Sequence, residues 1–429
     1  MTAEHYTVLG AARPRAPWFA EVGRWSTTAA LPVEFVRCVS TSELRSRLAS
    51  GRAWSAVLLD EGCSGLDRDL LDEARRVGAA PIVVAGPAAR RDWRDLGAVA
   101  VLAEPVERHA LHAVLREHAP TVGTGPADVL ALADDAPEPW SGQLVSVVGS
   151  GGTGTSTIAT AVAQGLGADP ARSGRVALVD ACLDADLALL HDTGDVVPGL
   201  QELVELHRTG RADADQLRSM LWELPGRGYD LLAGLRRHRD WTVLRPRALE
   251  SAVASLRRSY AVVVADTDPD LEGEDETGSP DVEDRNACAR LLTSTADVVV
   301  VVGTDGVPGL HRMVRLLADL LDHGVPDDRL LPVLNRAPRS PRRRSEAAQA
   351  AARLLGELVP GAAVASPLPV PLRRELPALQ LDAAALPATL CASLAAAVDA
   401  VAERAGPGPE PATGPVPVRP GSLGTGAAT

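Results

Sequence analysis

One turn constrains this chain more than any other feature. Val145-Ser146-Val147-Val148 leads into Gly149-Ser150-Gly151-Gly152-Thr153-Gly154-Thr155-Ser156-Thr157, and Ile158-Ala159-Thr160-Ala161-Val162-Ala163 follows. An apolar run reads as a buried strand, the glycines as a loop and the following run as a helix. Glycines let backbone N–H groups close around an anion, and a helix N-terminus adds positive potential. The layout therefore predicts a nucleotide-phosphate cradle in a parallel α/β sheet. A lysine is expected just before the Ser/Thr pair of such a cradle, and Thr155 stands there. No lysine occurs anywhere in the chain; every basic side chain is arginine or histidine.

The rest of the sequence supports two α/β units. Before residue 120, strand-like runs at 33–39, 56–60, 81–85 and 98–102 alternate with helical patterns at 42–49, 68–77 and 107–118. That alternation predicts a small doubly wound domain over 1–120. Residues 121–140, rich in Gly, Pro and Asp, read as a linker with a short helix at 127–133. From 141 to 405, near-continuous Val/Ala/Leu runs at 144–148, 176–179, 229–233, 261–265, 298–302 and 330–334 predict parallel strands covered on both faces. Helices are expected at 199–207, 213–222, 246–258, 310–322 and 388–405. The last is predicted to pack through Leu390, Leu394, Val398 and Val401. It lacks the basic and bulky apolar faces of a membrane-binding helix. Residues 406–429, almost entirely small residues and proline, are expected to be disordered.

Charge and cysteine use narrow the function classes. A net charge of −13 argues against wholesale nucleic-acid binding. The five cysteines are scattered and form no C-x-x-C pair, which fits reduced thiols better than disulfides or zinc. Cys182 reads as a small core or loop residue. No leader pattern and no 18-residue apolar run is present, so the expectation is a cytoplasmic protein that meets a membrane only through partners.

Three more segments carry chemistry. Strand 176–179 ends in Asp180, strand 261–265 ends in Asp266, and 330–334 runs into Asn335-Arg336. Acids at the ends of such strands face the crevice where phosphate and Mg²⁺ sit. With Ser150-Gly151-Gly152-Thr153-Gly154-Thr155-Ser156, these segments resemble the MinD/ParA class of P-loop ATPases, whose loop has the form K-G-G-x-G-K-[ST]. The G-G-x-G-[AT]-S-T variant, Val197-Pro198-Gly199-Leu200-Gln201-Glu202-Leu203, and Leu368-Pro369-Val370-Pro371-Leu372-Arg373-Arg374-Glu375-Leu376 are similar to the actinobacterial CpaE-like, or septum-site-determining, branch. So is Leu386-Pro387-Ala388 entering an alanine-rich helix. The resemblance spans roughly residues 1–405.

The resemblance implies roles residue by residue. Amides of Gly151, Gly152, Thr153, Gly154 and Thr155 hold the β- and γ-phosphates of ATP. Ser156, with Thr157 beside it, supplies a hydroxyl to Mg²⁺, and Asp266 holds that ion through water. Asn335 contacts adenine. Asp180 closes the strand after the loop helix and is a weak catalytic candidate. Departures from the family are equally specific. Both lysines are replaced, and the water-orienting acid two residues after Asp180 falls on Cys182, with Asp184 or Asp186 as substitutes only if the loop bends. One charge-assisted contact contributes about 1.5–3 kcal/mol, and phosphoryl transfer rests on such contacts. The expectation is weak ATP binding and inefficient hydrolysis.

Such a protein would be a regulator or scaffold in septum placement or in pilus or secretion-system assembly. Its partners would be division machinery, a secretion ATPase or a second copy of itself. The alternatives are an active dimerising ATPase in which arginines substitute for lysine, and a nucleoid-binding protein using Arg336, Arg339, Arg342, Arg343 and Arg344. Their bland reading is a solvated loop. The acidic run 270–284 is expected to be a mobile loop. The first domain resembles a receiver without phosphorylation chemistry. Asp60 falls at the acceptor position and reads as a solvated strand-end acid. The receiver's acidic pair after its first strand has no match in Tyr6-Thr7-Val8-Leu9-Gly10-Ala11, and Glu104-Pro105 replaces Lys-Pro.

Overall fold

The structure, a computed structural model, describes residues 5–13, 16–87, 91–120, 141–224 and 226–405. The expected linker at 121–140 and tail at 406–429 lie outside the described residues. Two separate sheets account for the strands.

The first is built from β1 (Tyr6–Ala11), β2 (Val33–Cys38), β3 (Ala56–Asp60), β4 (Ala80–Ala85) and β5 (Ala100–Ala103). All pairs are parallel, in the order β2-β1-β3-β4-β5. Side chains alternate across a strand. Leu9, Val57, Leu59 and Val83 therefore enter one apolar cluster, and Val8, Leu58, Ile82 and Val84 the cluster on the other face. A helix at Pro17–Thr27, which the sequence reading omitted, covers the second face with Trp18 and Val22.

The second sheet contains β6 (Gln143–Gly149), β7 (Val176–Ala181), β8 (Trp222–Glu223), β9 (Asp230–Leu232), β10 (Val262–Thr267), β11 (Val298–Thr304), β12 (Leu330–Ala337) and β13 (Leu368–Pro371). Its order is β13-β12-β11-β6-β10-β7-β9-β8, parallel except for β8 against β9. Two apolar clusters again lie on opposite faces, as continuous valine runs require. The predicted helix Ala388–Ala405 forms with the expected boundaries, and Leu390, Leu394, Val398 and Val401 are all buried. It lies against the helix Thr155–Gly167. The approach is close: a Cβ on Gly165 would sit 2.2 Å from the Cys391 carbonyl oxygen. Gln164 spans the contact, donating to the Leu386 carbonyl at 2.8 Å and accepting from the Leu386 N–H at 2.9 Å.

Two expectations are corrected. The helix predicted at 213–222 stops at Arg218. Trp222 instead pairs with Leu231 across β8 and β9, and its indole N–H donates to the Pro198 carbonyl at 3.1 Å. The acidic run 270–284 is largely helical, comprising Glu274–Thr277 and the start of Pro280–Ser294. Pro280 begins the second helix, and Asp281 and Glu283 occupy its first turn, where negative charge meets the positive helix end. Arg285 pairs with Asp270 and Arg290 with Glu283, so two of the eight acids in the run meet a guanidinium.

The two sheets are joined through the helix Arg68–Arg76, which meets the helices Leu200–Thr209 and Pro246–Ser259. Arg208 donates to Asp67 at 3.0 Å, the Arg247 N–H donates to Asp69 at 3.0 Å, and the Arg247 side chain meets Asp72 at 2.8 Å.

Candidate phosphate and cation site

The loop after β6 and the C-terminal ends of β7, β10 and β12 lie on one edge of the larger sheet, because these strands are parallel. This edge gathers Gly151, Gly152, Thr153, Gly154, Thr155, Ser156, Asp180, Asp266 and Asn335. Gly152 and Gly154 have φ of 80° and 89°, left-handed conformations that glycine adopts without strain. Within the loop the Thr153 N–H donates to the Ser150 carbonyl at 3.1 Å. The N–H groups of Gly151, Gly152, Gly154, Thr155, Ser156 and Thr157 have no acceptor among the described residues. Several belong to a helix N-terminus, where unsatisfied donors are the rule, and together they make an anion nest.

Side chains hold this shape. Thr153 Oγ1 donates to the Ser150 carbonyl at 2.7 Å and lies 3.0 Å from Thr155 Oγ1. Thr155 thus spends its hydroxyl inside the loop and supplies no charge. Asn335 Nδ2 donates to the Thr153 carbonyl at 2.7 Å, while its Oδ1 accepts from the Arg336 N–H at 2.9 Å. Thr157 accepts from Gln380 Nε2 at 2.8 Å.

The acids beside the loop are dry. Asp180 and Asp266 are cross-strand neighbours on β7 and β10, each only 1% exposed. Burial pushes both carboxyls up from the usual range. Asp266 raises Asp180 further, while the N–H groups of Leu187 and Cys182 oppose that shift. The Ser156 side chain opposes the shift on Asp266, and Asp268 and Asp186 add to it. Asp266 Oδ1 is buried with no hydrogen-bond partner. Asp180 is better served, accepting from Leu187 N–H at 2.8 Å and Cys182 N–H at 3.3 Å. A buried carboxylate oxygen without a donor costs stability, and a cation removes that cost. Ser156 and Asp266 therefore fit a divalent ion, and the free amides fit a phosphate.

Cys182 takes the expected place of an acid, and burial pushes its thiol pKa up. Asp184 turns to His238 at 3.1 Å, so it is not a substitute. Asp186 is exposed, yet it acts electrostatically on both Asp180 and Asp266. Sequence reading passed over Asp268, two residues beyond Asp266, which accepts from the Leu183 N–H at 2.6 Å and fixes the segment carrying Cys182. It also missed Arg312 and Arg315. They line an open groove of about 260 Å³ together with Ser150, Pro269 and Asp270. The arginine run is split: Arg336 lies on β12, next to its last residue, with φ of 55°, whereas Arg342, Arg343 and Arg344 open the helix Pro341–Leu358.

The smaller sheet has its own acid at the matching edge. Asp60 is fully buried, not solvated as expected. Arg13 Nη1 donates to both its oxygens at 2.8 Å, Gly62 N–H to Oδ1 at 2.9 Å and Trp18 Nε1 to Oδ2 at 2.9 Å. Arg13 Nη2 also reaches Glu104 at 2.6 Å.

No family model matches this sequence, and no curated protein matches it. Among solved structures, the chain is similar to a ParA family ATPase from Chlorobium tepidum at 18% identity and a TM-score of 0.47, covering 60% of this chain and 98% of that one. It is similar to the cell division ATPase MinD from Pyrococcus furiosus at 20% identity and a TM-score of 0.45, covering 61% and 99%. A putative pilus assembly protein, CpaE, from Burkholderia thailandensis covers 26% of this chain and 96% of its own at 19% identity, with a TM-score of 0.22. Among the described residues, no helix is long and apolar enough to cross a membrane.

Proposed function

We propose that this chain is a regulatory or scaffolding protein of the MinD/ParA type, of its CpaE-like branch, whose nucleotide site binds Mg-ATP weakly and turns it over slowly. Its work would be septum-site determination or the positioning of a pilus or secretion assembly, as a dimer or docked on a partner. The observation that carries the reading is the buried, unpartnered Oδ1 of Asp266 beside a loop whose amides, except that of Thr153, have no acceptor among the described residues. A site of that form is incomplete without an anion and a cation. The first domain would then be a receiver-like fold with no phosphoryl chemistry, since every lone-pair direction of Asp60 is already taken.

In this reading the free amides of Gly151, Gly152, Gly154 and Thr155 hold the β- and γ-phosphates, the Thr153 N–H being committed to the Ser150 carbonyl, and Ser156 and Asp266 hold Mg²⁺, which neutralises phosphate charge when bound. Asn335 keeps one amide hydrogen and one lone pair for an adenine edge, because each end of its amide makes one bond within the protein. The missing lysines and Cys182 weaken binding and leave the attacking water poorly oriented.

Calorimetry with Mg-ATP tests this directly. Weak uptake, lost in Asp266→Asn, with turnover near background, is expected. Micromolar binding with sustained turnover would overturn the weak-site reading. No uptake at any concentration would remove the nucleotide altogether.

One observation favours the active-ATPase reading. Arg312 and Arg315 share a groove with Ser150, the first loop residue. Their guanidinium groups would replace the lysine charge if they swing onto the γ-phosphate. The double variant Arg312→Ala/Arg315→Ala then lowers ATP affinity about tenfold or more, one charge-assisted contact's worth. Unchanged affinity leaves the weak-site reading standing alone.

A further inference from the structure

We propose that Asp180, Cys182 and Asp266 form a site for a thiophilic divalent cation, of the zinc or cadmium class, at the ends of β7 and β10. One carboxylate oxygen from each acid and the Cys182 sulfur all lie within 4.8 Å of one another. That separation leaves a small adjustment to the span that metal bonds of about 2.0–2.3 Å require. The frame is stiff where it matters. Asp180 and Asp266 are register partners, and Asp180 is held by two backbone N–H groups.

An unmet buried oxygen in this trio calls for a cation. Asp266 Oδ1 is buried without a donor in a side chain that is 1% exposed. The neighbouring carboxylates Asp186 and Asp268 add negative charge around the trio. The sulfur sets the class of metal. A hard ion such as Mg²⁺ takes oxygen ligands and has no use for Sγ, whereas a borderline or soft ion gains a strong bond from thiolate. Binding breaks the Cys182 S–H bond, forms the metal–sulfur bond and releases the proton to buffer, along with any proton held by the carboxyls. This inference goes beyond the nucleotide reading and needs no nucleotide.

The test is titration of the metal-free full chain with Cd²⁺ alone, followed through the ultraviolet thiolate-to-cadmium charge-transfer band. One saturable equivalent is expected, displaced by Zn²⁺ and untouched by excess Mg²⁺. Cys182→Ser abolishes the band, Asp266→Asn weakens binding about tenfold or more, and Cys63→Ser leaves both unchanged. Matching circular dichroism and melting curves show that the Cys182→Ser chain is folded. Absence of the band in the parent chain, its persistence in Cys182→Ser, or its loss to Mg²⁺ overturns the proposal. Failure of ATP to bind bears on the nucleotide reading alone and leaves these outcomes unaltered.

Discussion

Two buried carboxylates end strands near the middle of their sheets, and they are treated in opposite ways. Asp60 on β3 receives four hydrogen bonds, two of them from Arg13, so its charge is met inside the chain. Asp266 on β10 is as deeply buried, yet one oxygen has no partner and its charged neighbours are acids. The contrast separates an acid that holds a fold together from one left waiting for something outside it. A guanidinium stands over the first, and among the described residues no hydrogen-bond donor meets the free oxygen of the second.

The sharpest way to break that comparison is Arg13→Ala. Removing one partner of a buried pair strands the other charge, at a cost of about 2–4 kcal/mol with Arg13 partly exposed. Chemical denaturation should show the loss, and Asp60→Asn added to it should recover part. An Arg13→Ala chain as stable as the parent would mean that Asp60 needs no cation either.

Asp266→Asn should do the reverse. A carboxyl whose pKa is raised by folding is protonated in both states at low pH. As pH rises from its usual range near 4 through the raised value, the folded state bears the growing cost of an ionised buried group. In metal-free buffer, Asp266→Asn should therefore gain about 1–3 kcal/mol at pH 8, shrinking toward zero near pH 4. A divalent ion should stabilise the parent and not the variant. Loss of stability in Asp266→Asn at pH 8 would place Asp266 with Asp60 as a structural acid.

A smaller effect comes from the contact between the helix Arg68–Arg76 and the helix Pro246–Ser259. Asp69 is buried there, with Oδ2 unpartnered and its pKa pushed up to about 6, chiefly by burial. By the same sign, this contact should weaken as pH rises from about 4 to 6. Asp69→Asn should add about 1 kcal/mol at pH 7 while still accepting from the Arg247 N–H. A flat pH profile in the parent would show that the carboxyl is relaxed by water.

How much of this could be read from the sequence depended on distance along the chain. Valine runs marked the central strands because burial on both faces leaves no polar alternation to confuse them. The loop glycines and Asp266 were legible for the same local reason. Asp60 was misread because its partner Arg13 lies 47 residues earlier, and position alone cannot show that an arginine folds back over a strand end. Trp222 was misread because its neighbours fit a helix, while the pairing with Leu231 is set by tertiary contact. The acidic run misled through its charge. Its arginine partners, Arg285 and Arg290, fall on the helix that follows.

The glycine at 165 has a mechanical consequence. Because the Thr155–Gly167 helix touches the last helix backbone to backbone and Gln164 bonds the segment leading into it, those two segments are tied into one rod. Gln380, on the stretch leading into that rod, grips Thr157 at the other end. The last helix is thus tied to the first turn beneath the anion nest by a direct route, alongside the contacts that both helices make with the sheet.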